Sequence, residues 1–137
     1  MRGRVLIVED EAAVRGMFRQ ILVEAGHEVR EAANGKEALE LLDGPADGRN
    51  AGWRPDLILL DLLMPVMNGW QLRAAQRERP DLRDIPVVLV SGSPPRIQPI
   101  EAKALQVAAS LRKPVRADVL LRTVEMVLVT NEAVART

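Results

Sequence analysis

No cysteine occurs among the 137 residues. That absence removes a disulfide framework, a thiolate metal site and a cysteine nucleophile from the functions open to the chain, and it fits a reducing cytoplasm, the expected location. An excess of one charge is missing too. Nineteen basic residues balance nineteen acidic ones, so no overall field draws nucleic acid or an anionic membrane surface, and partners must be recognised locally. Long apolar runs are lacking. The opening MRGRVLIVEDE has a basic start, but its apolar run, Val5 to Val8, is too short for a signal peptide or a membrane span. Nor does a glycine-rich turn follow that run, which argues against a dinucleotide-binding Rossmann domain. Histidine is found once, as His27, and the pattern around it reads as a solvated turn between the first helix and the second strand.

What is present suffices for one core. A hydrophobic content of 47% in a chain of this length predicts a single domain over residues 1–137, with no output domain after it. Strand-length apolar runs recur at Val5–Val8, Leu57–Leu60 and Val87–Val90, with weaker candidates at His27–Ala32 and Val107–Leu111. Helical periodicity fills the gaps, and this alternation predicts parallel βαβ units: α/β, five strands and five helices. Val14, Met17, Phe18, Ile21, Leu22 and Ala25 give the first helix, closed by Gly26. Asn34, with Glu37 three residues on, opens the second as a capping box does. A third should follow Asn68-Gly69, and the last should run from about Ala117 to Val129. Two stretches break the rhythm. DGPADGRNAGWRP, Asp43 to Pro55, reads as a loop insertion on the far side from the strand C-termini. Pro94, Pro95 and Pro99 confine the fourth helix to a short, late start.

In a doubly wound parallel sheet, ligands bind beyond the carboxyl ends of the strands, where strand order reverses. The first strand is followed there by Glu9-Asp10, the third ends on Asp61, the fourth on Ser91-Gly92, and the fifth on Lys113-Pro114. With the first and third strands as neighbours, three carboxylates converge. Two like charges ~4 Å apart cost ~4 kcal/mol at an effective dielectric of ~20, so the cluster calls for a cation. Oxygen donors without histidine or cysteine suit Mg²⁺ better than zinc. An Asp beside a metal, with a lysine and a hydroxyl, is equipment for phosphoryl transfer to a carboxylate. Met64, Met67 and Trp70 read as packing residues.

The segments VLIVEDE, PDLILLDLLMPVMNG, PVVLVSG and LRKPV, in this order and at these spacings, resemble the receiver domain of two-component response regulators. The resemblance covers almost the whole chain and implies a flavodoxin-like (βα)5 sheet of strand order 2-1-3-4-5. It implies Asp61 as the phosphoacceptor, charged by a sensor histidine kinase or a histidine phosphotransfer protein. Asp10 and Asp61 would ligate Mg²⁺ directly with the Leu63 backbone carbonyl, and Glu9 would act through a metal-bound water. Lys113 would pair with phosphoryl oxygens, Ser91 would hydrogen-bond one on switching, and Pro114 would follow a cis peptide bond. The protein would catalyse only its own phosphorylation and dephosphorylation, and would signal to a downstream protein through the face of the fourth helix, fifth strand and fifth helix.

Two other functions compete. A Mg²⁺-dependent phosphatase using an aspartyl-phosphate would want a second Asp two residues after the nucleophile and a cap domain, and neither is seen. A receiver-like interaction module that works without phosphorylation would have little use for Asp10, Asp61, Ser91 and Lys113 together. One departure from the family stands out. Where many receivers carry a switching aromatic residue, three positions before the lysine, this chain has Ser110, and it contains no tyrosine. The expectation is that switching runs through the backbone of the Gly92–Pro99 loop and the short fourth helix. At Leu63, an apolar side chain is expected to slow loss of the phosphoryl group.

Overall fold

The computed structural model describes residues 2–43, 53–62, 64, 66–92 and 105–135, with side chains up to Asn131. Five strands form one parallel sheet: β1 (Arg4–Val8), β2 (Glu28–Ala32), β3 (Leu57–Asp61), β4 (Val87–Ser91) and β5 (Ala109–Arg112). Their order is β2-β1-β3-β4-β5, as the sequence predicts. The described helices are α1 (Ala12–Glu24), α2 (Gly35–Asp43), α3 (Gly69–Arg77) and α4 (Ala117–Ala135), the last being the fifth in the sequence reading. The expected fourth helix lies outside the described residues, except for a helical turn at Leu105. The interior of the Asp43–Pro55 insertion also lies outside them.

The central strands are apolar without alternation because both their faces are covered. Val5, Ile7, Leu57, Leu59, Val88 and Val90 pack with Phe18 and Leu22 of α1 and Leu120 and Val124 of α4. Leu6, Val8, Ile58, Leu60 and Leu89 face the other way, onto Ala38 and Leu42 of α2 and Leu72 of α3. The sheet thus separates two cores. Met64, Met67 and Trp70 join the second of these as packing groups.

Caps set the helix ends. Gly26 takes φ +96, and its N–H bonds Val23 O while His27 N–H bonds Leu22 O, which together make a Schellman motif that stops α1. At α2, Asn34 Oδ1 accepts the Glu37 N–H, but the Glu37 carboxylate accepts from Ala33, one residue earlier than a capping box requires. Asn68 and Gln71 form a full capping box at α3.

Besides one-residue shifts at the starts of β1 (Arg4, not Val5) and β2 (Glu28, not His27), four expectations need correction. α4 continues to Ala135, six residues beyond Val129 by numbering, because nothing in that stretch breaks a helix. β5 starts at Ala109 instead of Val107, since Gln106 has φ +55 and Ala108 first pairs with Val87. Asp43 closes α2 instead of opening the loop. His27 is no solvated turn: it is 4% exposed. The Schellman turn points it inward, where Nδ1 accepts the Gly3 N–H at 3.1 Å and Nε2 faces Glu125 at 3.5 Å.

Candidate functional site

The parallel register carries the polar residues to one edge. Val8 pairs with Leu60, so Glu9 and Asp61 stand one step beyond the last paired residues of β1 and β3. Asp61 closes β3 and Ser91 closes β4, while Lys113 follows β5 and its N–H donates to the Ser91 carbonyl at 2.8 Å. The sequence reading brings these groups together, and the fold does so. Leu63, expected to offer its carbonyl, lies outside the described residues. Ser110 sits in β5 with its side chain exposed.

One carboxylate oxygen each from Glu9, Asp10 and Asp61 lies within 4.8 Å of the other two. Glu9 and Asp61 are 1% and 5% exposed, whereas Asp10 is more open. The Lys113 ammonium is the counter-charge: Nζ is 2.7 Å from Glu9 Oε1, 3.5 Å from Asp61 Oδ2 and 3.8 Å from Glu11 Oε1. Burial, reinforced by the Asp61 charge, outweighs the Lys113 and Glu11 hydrogen bonds and pushes the Glu9 carboxyl up to about 7. For Lys113, burial acts downward, but the Glu9 hydrogen bond and the Asp61, Glu9 and Glu11 charges outweigh it and hold the ammonium above the ordinary lysine range. A buried acid held partly neutral beside two more carboxylates is a donor set short of positive charge. It fits an all-oxygen divalent cation site.

Backbone contacts fix this edge. Arg15 Nη1 donates to the Glu9 carbonyl at 2.8 Å, and Glu9 Oε2 accepts the Glu11 N–H at 3.2 Å. A Cβ on Gly69 would stand 2.7 Å from the Asp61 carbonyl oxygen and 2.8 Å from Leu62 Cα, so only glycine lets α3 begin this close to β3. Gly35 plays the matching part at α2: its N–H donates to the Met67 carbonyl at 2.9 Å, and a Cβ there would meet Met67 Cγ at 2.7 Å. Sequence reasoning singled out Asn34 and the Asn68-Gly69 pair as helix starts. It missed the docking of Gly35 on the β3–α3 turn, as well as the parts of Arg15 and Glu11. The Lys113-Pro114 peptide bond is cis, as expected. Val66, exposed in the β3–α3 turn, has φ +68, an unusual conformation for a β-branched residue that no local sequence signal announces.

The chain is similar to known proteins along most of its length. The family model described as the response regulator receiver domain matches residues 5–125. Protein PilH of Pseudomonas aeruginosa is 31% identical over 126 residues, covering 92% of this chain and 98% of PilH. Among solved structures, the signal receiver domain of a signal transduction histidine kinase from Syntrophus aciditrophicus superposes with TM-score 0.78 at 32% identity, covering 93% of this chain and 91% of its own. The chemotaxis response regulator CheY4 of Vibrio cholerae gives 0.76 at 32% identity, over 93% of this chain and 99% of CheY4.

Proposed function

Because the chain belongs to the response regulator receiver domain family, we propose that Asp61 is its phosphoacceptor and that the chemistry is built around it from the residues of one sheet edge. The protein is a receiver of a two-component system and catalyses only its own phosphorylation and dephosphorylation. The observation that carries the residue assignment is the meeting of Glu9, Asp10 and Asp61 oxygens within 4.8 Å beside the Lys113 ammonium.

An Asp61 oxygen attacks the phosphorus of a phosphohistidine on a sensor kinase or histidine phosphotransfer protein. The P–N bond breaks, its electron pair stays on the imidazole nitrogen, and an acyl phosphate remains on Asp61. Rigid attachment at the end of a fully buried strand holds the nucleophile in line. Asp10 and Asp61, with the Leu63 carbonyl, would hold Mg²⁺ directly, and Glu9 through water. When bound, the ion supplies neutralisation of phosphoryl oxygens that three carboxylates would otherwise repel. Lys113 leaves Glu9 to pair with a phosphoryl oxygen, and Ser91 donates its hydroxyl to another. The changed edge is read by a downstream protein on the surface of the fourth helix, β5 and α4. The lack, among the described residues, of any helix long and apolar enough to cross a membrane accords with signalling by protein contact.

Incubation with acetyl phosphate and Mg²⁺ tests the assignment. One phosphoryl group should appear by mass, be released by hydroxylamine as an acyl phosphate is, and be absent from Asp61→Asn. A modification that persists on Asp61→Asn, or resists hydroxylamine, rejects it.

A further inference from the structure

Two polar side chains stand on the face of α3 that turns inward. Arg73 is 6% exposed and Gln76, one turn on, is 1% exposed. Arg73 Nε donates to the Leu105 carbonyl at 2.8 Å, Nη2 to the Gln106 carbonyl at 2.9 Å, and Nη1 to Gln76 Oε1 at 2.8 Å. The Gln76 amide passes the chain on, with Nε2 donating to the Leu82 carbonyl at 2.8 Å and the Ile85 carbonyl at 2.9 Å. Among the described residues no carboxylate pairs with Arg73, and burial, helped by the Arg77 charge, pulls its guanidinium below the ordinary arginine range. A buried cation that, among the described residues, meets carbonyl and amide oxygens alone is weakly motivated by stability, since apolar groups of similar volume often serve as well.

What the pair grips gives it a use. Leu82 and Ile85 lead into β4, which ends on Ser91, and Leu105 and Gln106 lead into β5, which delivers Lys113. Gln106 is held at φ +55, a left-handed conformation that is strained for a residue with a side chain. At its other end, α3 starts at Gly69, in contact with the main chain of Asp61. One nine-residue helix therefore touches the acid at its first turn, grips the lead of β5 from its middle through Arg73, and grips the lead of β4 from its last turn through Gln76.

We propose that Arg73 and Gln76 are positioning residues that tie phosphoryl occupancy at Asp61 to the chain leading into β4 and β5, with the left-handed turn at Gln106 as the element that changes state. The proposal rests on Asp61 as the phosphoacceptor. Displacement of Ser91 and Lys113 toward a phosphoryl group shifts β4 and β5 against α3. The guanidinium, bridging two consecutive carbonyls, makes the Gln106 turn respond as a unit and carries the change to the surface beside β5.

Amide spectra of the intact chain, taken with and without beryllofluoride and Mg²⁺, test this in the wild type, Arg73→Met and Arg73→Lys. All three should show saturable shifts around Asp61. Shifts over Leu105–Arg112 should fall by about half or more in Arg73→Met, and by less in Arg73→Lys, whose single nitrogen cannot bridge both carbonyls as the guanidinium fork does. Arg73→Lys carries the comparison if Arg73→Met does not fold. Val29→Ala, a destabilised control on the far edge strand, should keep wild-type shifts. Full-sized shifts over Leu105–Arg112 in the Arg73 variants, or equal losses in the Val29 control, overturn the proposal. A wild type without saturable shifts at Asp61 would instead reject the phosphoacceptor assignment.

Discussion

Glu9 reaches the Lys113 ammonium at 2.7 Å while Asp61, the acid assigned the chemistry, stands at 3.5 Å. Before phosphorylation the lysine is thus held chiefly by a neighbour of the acceptor. The raised Glu9 carboxyl gives this contact a pH signature. Below the ordinary glutamate value of 4.5 the group is protonated in both folded and unfolded chains; between there and about 7 the unfolded chain releases the proton and the folded one keeps it. The stability contributed by the protonated acid is therefore complete below 4.5 and lost as pH rises through about 7. Glu9→Gln should flatten that fall. Denaturant midpoints measured without divalent metal across this window check it: a wild-type minus Glu9→Gln difference that stays constant with pH rejects the account. Sequence alone named Glu9, Asp10, Asp61, Ser91 and Lys113, because each follows or closes a strand and strand ends are readable. It did not give the Glu9–Lys113 pairing, which depends on side-chain reach and burial. His27 is hard to read for a related reason: it stands between Gly26 and Glu28 where a helix hands over to a strand, and only the turn geometry at Gly26 sends it inward.

Among the elements, legibility tracked position in the sheet. β1, β3 and β4 are covered on both faces and spell uninterrupted apolar runs. β2 and β5 are edge strands, partly exposed, and their weaker patterns gave boundaries off by one and two residues at the start. The Arg73–Gln76 contacts were illegible, since polar residues at core-facing helix positions look like surface until their partners, here carbonyls six to thirty-three residues away, are known. Two glycines show how element packing decides the sign of one substitution. Gly16 lies inside α1 with open space where a Cβ would go, so Gly16→Ala should stabilise by about 0.5–1 kcal/mol through helix propensity alone. At Gly69 the same change drives a methyl into the Asp61 carbonyl and should cost about 1–3 kcal/mol. It should also slow phosphorylation by acetyl phosphate, because α3 moves away from the acceptor strand. Urea unfolding of the two variants, with phosphorylation rates, checks both; similar stabilities would sink the packing argument.

For the whole molecule, the governing fact is that the sheet divides the interior in two. Leu42 belongs to the core beneath α2 and α3, and Leu120 to the one beneath α1 and α4. Each Leu→Ala change should cost about 2–5 kcal/mol. With no shared partners, the double variant should lose the sum within about 0.5 kcal/mol. Leu120→Ala and Val124→Ala, within one core and one helix turn apart, should depart from their sum by more. Calorimetry or urea unfolding of the two double variants decides, and equal deviations would mean that strain crosses the sheet. At the carboxyl edge of the sheet that separates them, Glu9, Asp61 and Lys113 share one charge balance. This partition has a consequence for descent. Mutations accumulating beneath α1 and α4 are screened by selection against a different set of neighbours from those beneath α2 and α3. The two halves can therefore diverge at separate rates, so that a lineage can acquire a new outer helix surface on one side while the other side keeps its ancestral packing.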